Sequence, residues 1–165
     1  MERKYGLDML LPEGKLPGFY AQIVKGIAAR APLFDRVKEL LVFADAGHLS
    51  AVRELLDHYK VAAEPVDLLL LPETGVEPGA LYADYAIESA SGNVYVDLAY
   101  AFAFRLTPAR PDAEPDPALR QLEEHLIATV DHSEERWLLV DRSLDELAER
   151  IAAAYGCAVR PLDTA

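Results

Sequence analysis

From residue 61 to residue 104 the chain contains no lysine, arginine or histidine. The same stretch carries Glu64, Asp67, Glu73, Glu77, Asp84, Glu88 and Asp97, so the acidity is regional. Residues 1–60 are near neutral at +1, residues 61–117 stand at −8 and residues 118–165 at −5, within a total of −12. A one-signed region raises the local potential and favours cationic partners. It argues against direct contact with nucleic-acid backbones or anionic membrane surfaces, and admits a basic protein partner. Cysteine is almost absent: Cys157 stands alone, so no intrachain disulfide forms, which suits a reducing compartment. No run approaches the roughly 18–20 apolar residues of a membrane helix. The start, MERKYGLDMLLPEGKLPG, lacks the apolar core of a signal peptide. The expectation is a cytoplasmic chain without membrane contact.

Catalytic motifs are missing too. There is no G-x-S-x-G, no P-loop and no G-x-G-x-x-G. Gly75 and Gly79 stand among prolines and glutamates, the wrong company for a phosphate cradle. Pro65-Val66-Asp67 with Glu88 lacks the lysine that a nuclease core needs two residues after its acid, since Ala90 and Ala99 stand there. His48, His58, His125 and His132 show no H-x-x-x-H spacing and read as surface histidines. Cys157 reads as a buried structural thiol. No metal site and no cofactor are expected.

What is present is globular: 52% hydrophobic and 27% charged over 165 residues. That suffices for one domain with a core of its own, with the proline-rich 107–117 segment as a candidate internal linker. Phe19, Ile23, Val24 and Ile27 predict a helix over about 18–30. Residues 33–59 read as a helical hairpin turning at Asp45-Ala46-Gly47-His48, although Leu40–Phe43 also fits a short strand. Ala44 to Asp57, ADAGHLSAVRELLD, resembles the second half of an ankyrin repeat, A-x-x-G-H-L-x-x-V-x-x-L-L. The T-P-L-H opening is absent and no second copy follows. The resemblance therefore implies a helix–turn–helix hairpin and no function.

Val66–Leu71 reads as a buried strand. Val94, Val96, Leu98, Tyr100, Phe102, Phe104 and Leu106 alternate with Tyr95, Asp97, Ala99, Ala101, Ala103 and Arg105, which predicts one long strand, 94–106. Leu81–Glu88 is its expected hairpin partner across a Ser89–Asn93 turn. Pairing odd positions of the first strand with even positions of the second makes one face wholly apolar. Asp116 and Pro117 then open a helix with an apolar stripe Leu119, Leu122, Leu126, Ile127 and Val130. Trp137–Val140 is a strand, Ser143 to Glu146 a capping box, and Cys157–Leu162 a final strand that closes a parallel β-α-β unit. The fold class is α+β: N-terminal helices on a mostly antiparallel sheet with a long central hairpin, 81–88/94–106.

That register brings Tyr82, Asp84, Glu88, Tyr95 and Asp97 to one face. Asp84 and Glu88 lie about 13 Å apart by strand rise, too far to share one ion with Asp97 unaided. Carboxylates flanked by tyrosines suit docking of a cationic partner. The leading expectation is a non-catalytic module that binds a basic protein, with the physical profile of immunity proteins and secretion chaperones. A structural subunit that self-assembles, as a homodimer or otherwise, through the Ala99, Ala101, Ala103 row or a sheet edge is the alternative. A metal-dependent hydrolase at the acidic face is the third.

Overall fold

The computed structural model describes residues 1–15 and 17–163. The first unit runs β1 (Glu2–Leu10), α1 (Pro17–Arg30), β2 (Asp35–Val37), β3 (Leu40–Phe43), α2 (Leu49–His58) and β4 (Ala62–Leu70). A connection follows with β5 (Val76–Pro78), α3 (Tyr82–Tyr85), β6 (Ile87–Glu88) and β7 (Val94–Asp97). The second unit runs β8 (Ala101–Pro108), α4 (Pro115–Leu122), β9 (Leu126–His132), β10 (Glu135–Asp141), α5 (Asp145–Ala154) and β11 (Cys157–Pro161). Two antiparallel sheets result, sheet A in the order β2-β3-β1-β4-β7-β6 and sheet B in the order β11-β8-β10-β9-β5. The α+β class holds. No helix among the described residues is long and apolar enough to cross a membrane.

The two units share one topology. Each is β-α-β-β-α-β, and in each the first strand lies antiparallel between the third and the fourth: β1 between β3 and β4, β8 between β10 and β11. This is the split β-α-β arrangement, whose outer strands are parallel to each other but not paired. The connection then knits the units together, giving β5 to sheet B beside β9 and β7 with β6 to sheet A beside β4.

Packing follows the strand alternation. Leu7, Met9, Leu41 and Phe43 bury one side of sheet A against Ile23, Ile27, Val52 and Leu56 of α1 and α2. Leu69 and Val96 reach from sheet A to Ala103, Val130, Trp137 and Leu139 of sheet B. Phe102, Phe104, Leu138 and Val140 turn to the far side of sheet B and meet Ala118, Leu122, Ala148 and Ile151 of α4 and α5. Each fully buried leucine of this kind contributes about 2 kcal/mol of transfer free energy. The other side of sheet A curls over its own residues, Leu40, Val42, Leu68 and Tyr95. Gly6 makes that curl possible, since a Cβ there would lie 3.0 Å from Leu40 Cδ1 and 3.1 Å from the Val66 carbonyl oxygen.

Several expectations give way here. The first arm of the 33–59 hairpin is a strand pair, β2 and β3, because all four residues of Leu40–Phe43 are buried and feed two different cores. The second arm is helical as α2, after a short 3-10 turn at Ala46–His48. The N-terminal residues, to which the sequence assigns no element, are β1, the strand between β3 and β4. The 94–106 strand is two strands in two sheets, broken at Leu98–Tyr100. Ala99 N–H donates to Asp97 Oδ1 and Tyr100 N–H to the Asp97 carbonyl, which turns the chain from one sheet into the other. The expected partner 81–88 is mostly the helical turn α3, and only Ile87–Glu88 pairs with β7. Its register joins Ile87 to Tyr95 and Glu88 to Val94, one residue away from the expected pairing.

The helix expected from Asp116 and Pro117 starts at Pro115 and ends at Leu122, and Leu126–Val130 belongs to β9. No capping box forms at Ser143, since Asp141 accepts the Ser143 N–H to start the turn and Asp145 accepts from Glu146 N–H. No parallel pair closes the chain, because β8 lies between β10 and β11. The proline-rich 107–117 stretch connects β8 to α4 within the second unit.

The β9–β10 hairpin turns on Ser133 and Glu134, both left-handed at φ 53° and 64°. Two positive φ angles define the tight turn that Asn-Gly adopts with least strain. The double substitution Ser133→Asn/Glu134→Gly should therefore stabilise the protein by about 1 kcal/mol in chemical denaturation.

Candidate binding groove

The connection between the units builds a groove of about 410 Å³ lined by Asp84, Tyr85, Ile87, Asp97, Tyr100 and Asp141. Asp84 and Tyr85 come from α3, Ile87 from β6, Asp97 from the end of β7, and Asp141 from the end of β10. Tyr100, on the turn between the sheets, is 65% exposed. Three carboxylates from three elements thus stand around an apolar and aromatic floor.

Their hydrogen bonds fix two of them. Asp97 Oδ1 accepts the Ala99 N–H at 2.8 Å. Asp141 Oδ1 accepts the Ser143 N–H at 2.9 Å and its hydroxyl at 2.6 Å, while Oδ2 accepts the Tyr85 hydroxyl. These donors hold the Asp141 carboxyl below the usual carboxylate range, Ser143 contributing most and Tyr85 next. The same bond to Asp141, aided by burial, pushes the Tyr85 hydroxyl up. Asp141 is therefore a fixed negative charge. The neighbouring Arg142 is engaged elsewhere: its Nε donates to the Leu98 carbonyl at 2.6 Å and its Nη2 to the Ala101 carbonyl at 3.1 Å. It clamps the turn that carries Tyr100 and leaves the groove acidic.

Of the five residues expected on one face, the structure brings only Asp84 and Asp97 into this groove. Glu88 is exposed on β6, opposite Val94. Tyr82 lines a separate cavity of about 130 Å³ with Leu71, Pro72, Glu73, Val76, Gly92, Asn93 and Val94. Tyr95 is a correction: it faces away from Val96, as the alternation expects, but that side of sheet A curls over Leu40, Val42 and Leu68, so the ring is fully buried and not exposed for docking. Its hydroxyl donates to Asp35 Oδ2 at 2.7 Å. The alanine row divides as well, because Ala101 and Ala103 are buried between the sheets while Ala99 stays exposed.

The spacing of the charges missed Asp141 and Tyr85. Their contact spans 56 residues of sequence and depends on the connection folding back on the end of β10. Among the described residues no three His, Cys, Asp or Glu side chains converge closely enough to hold a metal ion. His125 pairs with its neighbour Glu124, and His58 lies edge-on to Tyr59. Cys157 is buried, as the sequence suggests. Comparison with protein-family models, with curated proteins and with solved structures finds no match for this chain.

Proposed function

We propose that this protein is a binding module for a basic protein partner, which it engages through the acidic groove at the junction of its two units. The observation that carries the reading is the convergence of Asp84, Asp97 and Asp141 around one groove, the first two from a 44-residue stretch of chain free of cationic side chains. A lysine or arginine suits such a groove in both its parts. Its aliphatic stem packs on Ile87 and the tyrosine rings, and its charge meets the carboxylates. Surface charge of one sign also speeds encounter with an oppositely charged partner. Immunity proteins and secretion chaperones share the small, acidic, α+β profile, and an adaptor role of that type rests on the profile alone.

A basic probe tests this directly. Hexa-arginine and hexa-lysine peptides, followed by calorimetry at low and high salt, should bind at low salt and weaken as salt screens the contact. Asp84→Asn and Asp97→Asn should each lower affinity about threefold and together about tenfold, with a flatter salt dependence. Glu149→Gln, on the exposed side of α5, removes the same charge away from the groove and should change little. Equal losses in all three variants would mean that net charge alone attracts the peptide, and the reading would fall.

A further inference from the structure

At the seam of sheet A the hydrogen bonds converge on one side chain. β2 is one edge of the sheet and β6 the other, and no backbone ladder among the described residues joins them. The Asp35 carboxylate at the start of β2 is nevertheless reached from the far edge. Tyr95 Oη donates to it at 2.7 Å, Asn93 Nδ2 at 2.9 Å and Ser91 Oγ at 3.2 Å. Its own strand adds the Arg36 N–H at 2.8 Å. Asp35 is 7% exposed, so these donors stand in for water. The β6–β7 hairpin is otherwise held by the packing of Val96 between the sheets and by a short ladder, Leu68 to Asp97 through Leu70 to Tyr95, with single backbone bonds at either end.

That hairpin also builds the groove. Ile87 and Asp97 sit on it, whereas Asp141 sits on sheet B. The distance between these walls depends on where the hairpin rests, and Asp35 sets that from outside the groove. We infer that Asp35 is a positioning residue for the acidic groove: by clamping the β6–β7 hairpin to β2 it holds Ile87 and Asp97 in place against Asp84, Tyr85 and Asp141. The inference rests on the reading of the groove as the binding site and names what keeps it in shape.

Three measurements on Asp35→Ala and Asp35→Asn, all well below each variant's melting temperature, test it. Amide exchange in Asp35→Ala should accelerate tenfold or more over residues 35–37 and 87–97 and stay unchanged over β8 to β11. The amide resonances of Ala99 and Tyr100, which bond to Asp97, should shift. Hexa-arginine affinity should fall about fivefold. Asp35→Asn keeps the shape and one acceptor oxygen but turns an amide donor toward the other pair of donors, so it should recover part of each effect. Exchange that rises evenly through both units would show a merely structural role and overturn the inference. So would local loosening with affinity and the Ala99 and Tyr100 amides unmoved. If the unaltered protein fails to bind the peptide, the functional reading falls, and the two amide signals alone decide whether Asp35 positions Asp97.

Discussion

Asp35→Ala should lower the stability of the whole protein by about 3 kcal/mol, or roughly 6–12 °C in melting temperature for a chain of this size. The expected loss exceeds that of an ordinary surface aspartate because of what the truncation leaves behind. Tyr95 Oη is fully buried and has its hydrogen bond to Asp35, and Asn93 Nδ2 likewise donates to it. An unpaired buried donor costs about 1–3 kcal/mol. Tyr95→Phe in the same background removes the stranded hydroxyl, so the double variant should lose less than the two single losses combined. Acid gives an independent reading. Burial pushes the Asp35 carboxyl up, but donors from the Ser89–Asn93 turn, Tyr95 and the Arg36 N–H outweigh it and hold the value at about 2. The ordinary value is 3.8, so the folded state binds this proton more weakly than the unfolded chain does. The contribution is fully present above pH 4 and is lost as pH falls toward 2, about 2 kcal/mol in all. Denaturation followed between pH 5 and pH 2 should show that loss in the unaltered protein and much less of it in Asp35→Ala.

The importance of Asp35 could not be read from sequence, whereas the helices largely could. The stripe Phe19, Ile23, Val24 and Ile27 matches α1, and the second arm of the 33–59 hairpin is α2, because each helix buries a single face. The strands mislead where a strand is buried on both sides. Leu40–Phe43 sends Leu41 and Phe43 to the helices and Leu40 and Val42 into the curl, so no period survives to tell strand from helix. The run from Val94 to Leu106 errs in the opposite direction. Its alternation is unbroken in sequence because Leu98 and Tyr100 keep the parity, yet the chain turns there and changes sheets. A period reports which side is apolar and carries no information about which sheet lies beneath it. In the 117–130 stretch, Leu119 and Leu122 belong to α4, whereas Leu126 to Val130 follow a three-residue turn and alternate as β9.

The candidate site divides on the same line. Asp84 and Asp97 were legible because a missing class of residue, the cations, marks their neighbourhood in one dimension. Asp141 and Asp35 were not, because each matters through contacts some 56 to 60 residues distant in sequence. The duplicated topology explains why such contacts gather here. Each β-α-β-β-α-β unit covers one face of its sheet with its own helices. The connection between the units then adds strands to both sheets and fills what remains. The charge gap and the groove fall on that connection because it supplies the surface that neither unit provides alone.

Gly75→Ala should be the other costly single substitution, at about 3 kcal/mol, and its cost should be capped. Gly75 lies at φ +85°, where an L side chain is strained by roughly 1–2 kcal/mol. A Cβ there would stand 2.3 Å from the Asp131 carbonyl oxygen. That neighbour is the backbone of β9, whose next strand β10 holds it in register, so it cannot rotate away as a side chain would. The contact also serves the sheet, because Asp131 N–H donates to the Gly75 carbonyl at 2.8 Å. The chain can escape in one way only, by lifting β5 from β9, which gives up the Val76–Val130 and Pro78–Ala128 pairings and leaves the rest of sheet B intact. The cost therefore cannot exceed that of detaching one three-residue edge strand. Denaturant titration with amide exchange separates the two routes. Loss of protection confined to the β5–β9 ladder with its flanking Gly79 and Asp131 amides would show a peeled edge strand, and a uniform loss would show strain stored in a sheet that stays closed. An alanine variant as stable as the parent would contradict the close approach of β5 to β9 on which both routes depend.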